Sequence, residues 1–203
     1  MTKTIIFATN NAHKLKEIND LLGNDFHLES LKDIGFSGDI PEEQPTLEGN
    51  ALDKAKYIVE RYDVPCFADD TGLEVEALNG EPGVFSARYA GTISEHGSEE
   101  KRTQANIEKL LSNLKNKPNR KARFRTVIAY IDNRREYLFE GIVNGHIIDE
   151  KRGTDGFGYD PVFVPEGFSQ TFAEMPLAEK NKMSHRARAF AQFIAFLKEQ
   201  NKK

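Results

Sequence analysis

Apolar positions along this chain switch repeatedly between two periods. Thr4 to Ala8 is an unbroken apolar, β-branched run, short enough to read as a buried strand. Leu15, Ile18 and Leu22 then recur on one face, which predicts a helix over Ala12–Leu22, with Gly23 where a helix stops. Leu47, Ala51, Ile58 and Tyr62 predict a second helix from Thr46 to Tyr62, and the Thr46 hydroxyl suits an N-cap. Val64 to Ala68 reads as a strand ending in Asp69-Asp70-Thr71-Gly72. Leu73 to Ala77 alternates apolar and acidic residues as a further strand, before the Asn79-Gly80 turn signal. A long loop from Glu81 to Gly97 leads to a third helix, Ser98 to Leu114. Ala122–Ile131 and Glu136–Val143 form a hairpin across Asp132-Asn133-Arg134-Arg135. A last helix opens near Ser184 with Ala187, Phe190, Ala191, Ile194 and Leu197 on one face. Early alternation of strand and helix, then a hairpin, predicts an α/β fold with a mixed β-sheet flanked by helices. Its two halves are expected as two lobes with a central cleft.

Composition narrows the setting. With 203 residues, the chain is expected to be one domain spanning 1–203, whether a single body or two tightly joined lobes. It is 38% hydrophobic and 30% charged, and no apolar run approaches the ~20 residues that span a bilayer, so no membrane partner is expected. The segment Met1 to Asn10 has too short an apolar stretch for a signal peptide. Cys66 is the only cysteine, which rules out an internal disulfide and favours the cytoplasm. A net charge of −4 argues against binding long nucleic acid. The basic stretch Lys115 to Arg125 is read as a solvated loop and edge strand.

Five stretches carry the candidate chemistry. Gly153-Thr154-Asp155-Gly156-Phe157-Gly158-Tyr159-Asp160-Pro161 has too much glycine and proline for a helix or strand interior. It reads as a shaped loop whose Phe157 and Tyr159 rings could hold a flat ligand. Thr9-Asn10-Asn11-Ala12-His13-Lys14 is a strand-to-helix turn. Exposed N–H groups, the helix dipole and Lys14 there make either a phosphate cradle or an ordinary Asn11 cap beside a surface lysine. Asp69-Asp70-Thr71-Gly72 offers adjacent carboxylates, explained either by a cation or by a turn; Mg²⁺ needs only one or two carboxylates plus substrate phosphates. Glu42-Glu43 precedes the second helix, on which Asn50 and Lys54 lie four apart, facing either a site or solvent. Ala178-Glu179-Lys180 and Ser184-His185-Arg186 gather donors at a helix N-terminus, where the dipole disfavours cations. Together these stretches describe a nucleoside triphosphate site.

Thr9-x-Asn11-x-x-Lys14, Asp69-Asp70-Thr71-Gly72-Leu73, Pro82-Gly83-Val84-Phe85-Ser86-Ala87-Arg88-Tyr89-Ala90-Gly91, Phe157-Gly158-Tyr159-Asp160-Pro161 and Ser184-His185-Arg186 together resemble the inosine/xanthosine triphosphate pyrophosphatase family, in family order from residue 9 to residue 186. The resemblance implies an elongated two-lobed α/β fold, a homodimer, dependence on Mg²⁺, and conversion of ITP, dITP or XTP to the monophosphate and pyrophosphate. It also implies site residues. Thr9, Asn11 and Lys14, within the segment that also holds Asn10, Ala12 and His13, would bind phosphates. Asp70 would be the catalytic acid–base or a metal residue, and Thr71 would contact substrate. Phe157, Gly158, Tyr159, Asp160 and Lys180 would line the nucleoside site, and His185 and Arg186 would read the base. The second metal ligand best matches Glu42, with Glu43 adjacent. Two rivals stand beside this reading: a pyrophosphatase of different base preference, and a nucleotide-binding regulatory module without turnover. The acidic residues count against the second.

Overall fold

The computed structural model describes residues 3–22, 26–38, 40–92, 95 and 97–200. Met1, Thr2 and the expected helix stop at Gly23 lie outside them, as do the side chains of His13 and Leu22. The elements are β1 (Lys3–Phe7), α1 (Ala12–Leu22), β2 (Phe26–Ser30), α2 (Leu47–Tyr62), β3 (Cys66–Val75), β4 (Pro82–Gly83), α3 (Glu99–Asn113), β5 (Lys121–Asp132), β6 (Arg135–Ile147), β7 (Phe163–Pro165), α4 (Leu177–Met183) and α5 (His185–Gln200). Among the described residues, the strands form one mixed sheet in the order β2-β1-β3-β5-β6-β7, with β4 paired to β3. β1 runs parallel to β2 and β3, whereas β4 and β7 pair antiparallel.

Contacts divide the chain into two compact units. The first comprises residues 1–70, 126–141 and 186–203, and the second 71–125 and 142–185. β3, β5 and β6 are long enough to contribute to both.

The first unit buries Ile5, Phe7, Ile18, Phe67, Ile128, Tyr130, Phe190, Phe193 and Leu197. Phe67 stacks on Phe7 with ring centroids 4.4 Å apart and meets Phe193 at 5.0 Å. Truncating such a ring would cost about 3–5 kcal/mol in transfer and cavity terms. Helix α2 forms because Leu47, Ala51, Ala55 and Ile58 are buried at helical spacing. The Thr46 hydroxyl accepts from Gly49 N–H at 3.1 Å to cap it, and Asp63, at φ 51°, ends it in the left-handed region.

The second unit is built on Leu73, Val75, Ile107, Leu110, Leu114, Phe124, Val143, Val162, Phe163 and Phe172. Its helix α3 is capped by Ser98, whose hydroxyl accepts from Lys101 N–H at 3.2 Å. Glu99 and Glu100 in its first turn complement the dipole.

Four sequence expectations change. Asp69 to Gly72 is not a turn between two strands but the interior of β3, which continues to Val75. The acids are tolerated there because each finds buried partners, and Gly72 because a Cβ would stand 2.7 Å from the Gly83 carbonyl oxygen. Ala77 belongs to a 3₁₀ turn, Glu76–Leu78, rather than to a strand. The Glu81–Gly97 loop carries β4 and a 3₁₀ turn, Ser86–Arg88. The hairpin is longer than expected and closes on Asn133 and Arg134, at φ 48° and 62°, a two-residue turn whose hand matches strand twist. β2, β7 and α4 are too short for a periodic signal of their own.

Candidate active site

In the first unit the turn from β1 into α1 is organised by its own polar groups. The Thr9 hydroxyl accepts from Asn11 N–H at 3.2 Å, the Asn11 carbonyl of the side chain accepts from Lys14 N–H at 3.3 Å, and Asn10 Nδ2 donates to the Gly38 carbonyl at 3.0 Å. Asn11 therefore caps α1, while Ala12 stands exposed at its first turn. Lys14 is not a surface lysine. Its Nζ lies 2.8 Å from Asp69 Oδ1, and its side chain is 15% exposed.

Asp69 and Asp70 are consecutive on a strand and meet different surroundings. Asp69, 2% exposed, also receives Arg186 Nε at 3.4 Å. Burial alone would raise its pKa, but the Lys14 and Arg186 charges prevail and hold it well below the usual carboxylate range. Asp70 Oδ2 accepts from Asn50 Nδ2 at 3.0 Å, and its Oδ1 lies 3.7 Å from Lys54 Nζ, which also donates to Glu42 Oε1 at 2.5 Å. Burial, aided by the Glu42 charge, outweighs Lys54 and Lys14 and raises the Asp70 pKa. Lys54 is raised: burial acts to lower it, and Asp70 and Glu42 outweigh that. Lys14 is lowered by burial, which Asp69 offsets only in part. One carboxyl is thus fixed as an anion beside another tuned upward, a pattern that functional sites share.

Asn50 and Lys54 complete this cluster. Both are buried, one step off the apolar stripe of α2, so they face Asp70 rather than solvent. The signal was there to read: two polar residues four apart on a helix whose other buried positions are apolar. Of the acidic pair ahead of α2, Glu42 turns its carboxylate to Lys54, and Glu43 is exposed. Among the described residues no group of three or more His, Cys, Asp or Glu side chains gathers into a metal cage. Two hard carboxylates, Glu42 and Asp70, nevertheless suit Mg²⁺, which takes its remaining ligands from water and phosphate.

In the second unit the glycine-rich loop folds over Asp160. Gly153, Gly156 and Gly158 all take positive φ, and a Cβ at Gly156 would meet Asp160 Oδ2 at 2.3 Å. Asp160 Oδ2 accepts from Phe157 N–H and from Lys180 Nζ, both at 2.8 Å, and the last pair is buried. The Lys180 ammonium stands 5.0 Å from the Phe157 ring centroid. The two rings of the loop differ: Phe157 is half-buried, whereas Tyr159 is 3% exposed and donates its hydroxyl to the Ser86 carbonyl at 2.9 Å. Burial pushes the Tyr159 phenol up. Thr71 is half-buried on β3.

His185 and Arg186, adjacent in the first turn of α5, fall into different groups. The His185 ring stacks on Phe124 at 4.7 Å and 15°, and Arg186 joins Asp69. Lys14, Glu42, Asn50, Lys54, Asp69, Asp70 and Arg186 thus come together in the first unit, and Phe157, Asp160 and Lys180 in the second.

The described helices include none long and apolar enough to cross a membrane. The profile of the Ham1 family matches residues 5–196. A dITP/XTP pyrophosphatase of Porphyromonas gingivalis is 54% identical over 194 residues, 95% of this chain and 96% of the relative. One from Flavobacterium psychrophilum is 50% identical, over 96% of this chain and 98% of the relative. The Staphylococcus aureus Ham1 protein superposes with a TM-score of 0.86 at 38% identity, covering 98% of this chain and all of that one.

Proposed function

Because the chain belongs to the Ham1 family, we propose that it hydrolyses the deaminated purine triphosphates dITP, ITP and XTP to the monophosphate and pyrophosphate. The observation that carries this reading is the split pair in β3: Asp69 held ionised by Lys14 and Arg186, and Asp70 tuned upward beside Asn50, Lys54 and Glu42. Thr9, Asn11 and Lys14 hold phosphates at the start of α1, where unpaired helix N–H groups and the dipole favour anions. Phe157, Gly158 and Asp160 with Lys180 line the nucleoside, Tyr159 anchors their loop from the core, Thr71 contacts substrate, and His185 and Arg186 take the base edge.

Glu42 and Asp70 would hold Mg²⁺. When bound, that ion would neutralise phosphate charge and favour departure of pyrophosphate. A water oxygen bonds to the α-phosphorus, the bond to the α–β bridging oxygen breaks, and its electron pair leaves with pyrophosphate. Asp70 orients that water and takes its proton. Lys54 keeps Glu42 and Asp70 in place. A cytoplasmic location and a homodimer belong to the same reading; sedimentation at micromolar concentration tests the dimer.

The experiment is pyrophosphate release from dITP, XTP, ITP and ATP with Mg²⁺, with excess chelator, and after Mg²⁺ is restored. Turnover of the first three, lost on chelation and recovered, is the expected outcome. Asp70→Asn should lower kcat by about 100-fold or more while nucleotide affinity stays within about tenfold, since a group used in the transition state contributes little to ground-state binding. Near-normal turnover in that variant would remove Asp70 from the chemistry.

A further inference from the structure

Between β4 and α3, Ser86 and Tyr89 are buried. Helix α3 holds them. Asn106, 4% exposed, donates from Nδ2 to the carbonyls of Ser86 at 3.3 Å and Ala87 at 3.1 Å, and its Oδ1 accepts from Ala90 N–H at 2.7 Å. Two carbonyls on one side and an N–H on the other admit only one orientation of the amide. One and two turns further on, Lys109 Nζ donates to the Tyr89 carbonyl at 2.5 Å and Asn113 Nδ2 to the Tyr89 hydroxyl at 2.7 Å.

Ser86 is the node of this network. Its hydroxyl receives Leu73 N–H at 2.8 Å and donates to the Gly83 carbonyl at 2.6 Å, which ties the segment to β3 two residues beyond Thr71. Its carbonyl, already bonded to Asn106, also accepts the Tyr159 hydroxyl. Tyr159 leads into the 3₁₀ turn Asp160–Val162, with Val162 N–H on the Tyr159 carbonyl at 3.0 Å and Asp160 N–H on the Phe157 carbonyl at 3.3 Å. Where the Tyr159 ring is anchored therefore sets where Phe157 and the Asp160–Lys180 pair stand.

We propose that Asn106 is a positioning residue for nucleoside recognition: by clamping Ser86–Ala90 it fixes the carbonyl on which Tyr159 docks, and through Tyr159 the Phe157–Asp160 loop. This rests on the reading above, in which that loop lines the nucleoside. Asn106 touches no substrate; its effect is on base and sugar, not on phosphate.

The test compares wild type, Asn106→Asp, Tyr159→Phe and the double variant. Asp has nearly the shape of Asn and keeps the acceptor for Ala90, but turns an oxygen toward two carbonyls. Steady-state constants are measured with dITP and XTP, and Mg-tripolyphosphate serves as a base-free competitive inhibitor. For Asn106→Asp the expected result is a KM at least about tenfold higher, kcat within about threefold, and a tripolyphosphate Ki within about twofold. Tyr159→Phe should raise KM in the same manner, and the double variant should be no worse than Asn106→Asp alone, because both act on the Ser86 carbonyl. An unchanged KM, a Ki that rises in step with KM, or fully additive effects would each overturn the proposal. If Asn106→Asp does not fold, Tyr159→Phe decides: a wild-type KM there removes the docking link. Wild-type protein that turns over no purine triphosphate refutes the proposed function itself, an outcome visible before any variant is compared.

Discussion

Asp69→Asn isolates the ion cluster at the centre of the first unit. The substitution preserves volume, so it opens no cavity; what it removes is the charge facing Lys14 at 2.8 Å and Arg186 at 3.4 Å. Lys14 retains some access to water, with 15% of its side chain exposed, and its pKa is already lowered, so it can shed its proton. Arg186 can do neither: its side chain is 1% exposed and guanidinium does not deprotonate. Removing the carboxylate from a buried ion pair costs up to about 3–5 kcal/mol. That is more than half of the stability of a domain near the low end of the about 5–15 kcal/mol range. With a urea slope of about 2 kcal/mol/M, the unfolding midpoint should fall by about 1.5–2.5 M. Asp69→Asn/Arg186→Met should recover about 1 kcal/mol or more of that loss, since the cation that faced the lost carboxylate is removed with it. The assay is urea unfolding of the wild type and the two variants at pH 7. A midpoint shift below about 0.3 M for Asp69→Asn, or a double variant weakened by the sum of its parts, would refute the reasoning.

Lys14→Ala should raise KM by about tenfold or more for dITP, XTP and ATP alike, because phosphates carry no base identity; a changed ratio among the nucleotides would contradict a phosphate role. Gly72→Ala would set a methyl 2.7 Å from the Gly83 oxygen and 3.0 Å from its carbon, both backbone, so the Leu73–Gly83 pairing must open. A loss of about 1–3 kcal/mol is expected, and a melting temperature within a degree of wild type would refute it. The acid limb of stability follows from Asp69. Its folded pKa lies below its ordinary 3.8, so the stability it adds is complete above that value and is lost as pH falls through the folded one. The gap in urea midpoint between wild type and Asp69→Asn should hold level from pH 7 to pH 5 and begin to narrow only below about pH 4; a gap that instead widens on acidification would show the sign to be wrong. Asp70, raised, acts oppositely: its carboxyl favours the fold when protonated and loses that contribution as pH rises through its folded pKa.

Much of the site was legible as residue types at particular spacings. The glycines of 153–158 announced backbone that no other residue adopts easily, and all three sit at positive φ. Asn11 and Lys14 announced a capped helix start with a cation one turn in. What spacing could not convey was the partner of each group. Lys14 meets Asp69 across 55 residues of chain, and Asp69 meets Arg186 across 117. The Tyr159 hydroxyl finds Ser86 across 73, and that bond turns one of two apparently equivalent aromatic rings into core.

By itself the sequence determined the short-range features: the period and caps of α2 and α3, the hairpin turn at Asn133-Arg134, and which residue types crowd together near residues 9–14, 69–72 and 157–160. These depend on dihedral preferences and on hydrogen bonds a few residues long, so the local chain carries them entirely. Only the tertiary structure decided that β3 runs unbroken through Asp69 to Gly72, that Lys54 and Asn50 turn inward, and that Asp69 is held ionised while Asp70 is raised. A buried charge is tolerable only where an opposite charge or donor is brought to it, and those partners arrive from distant segments once the sheet and helices have packed.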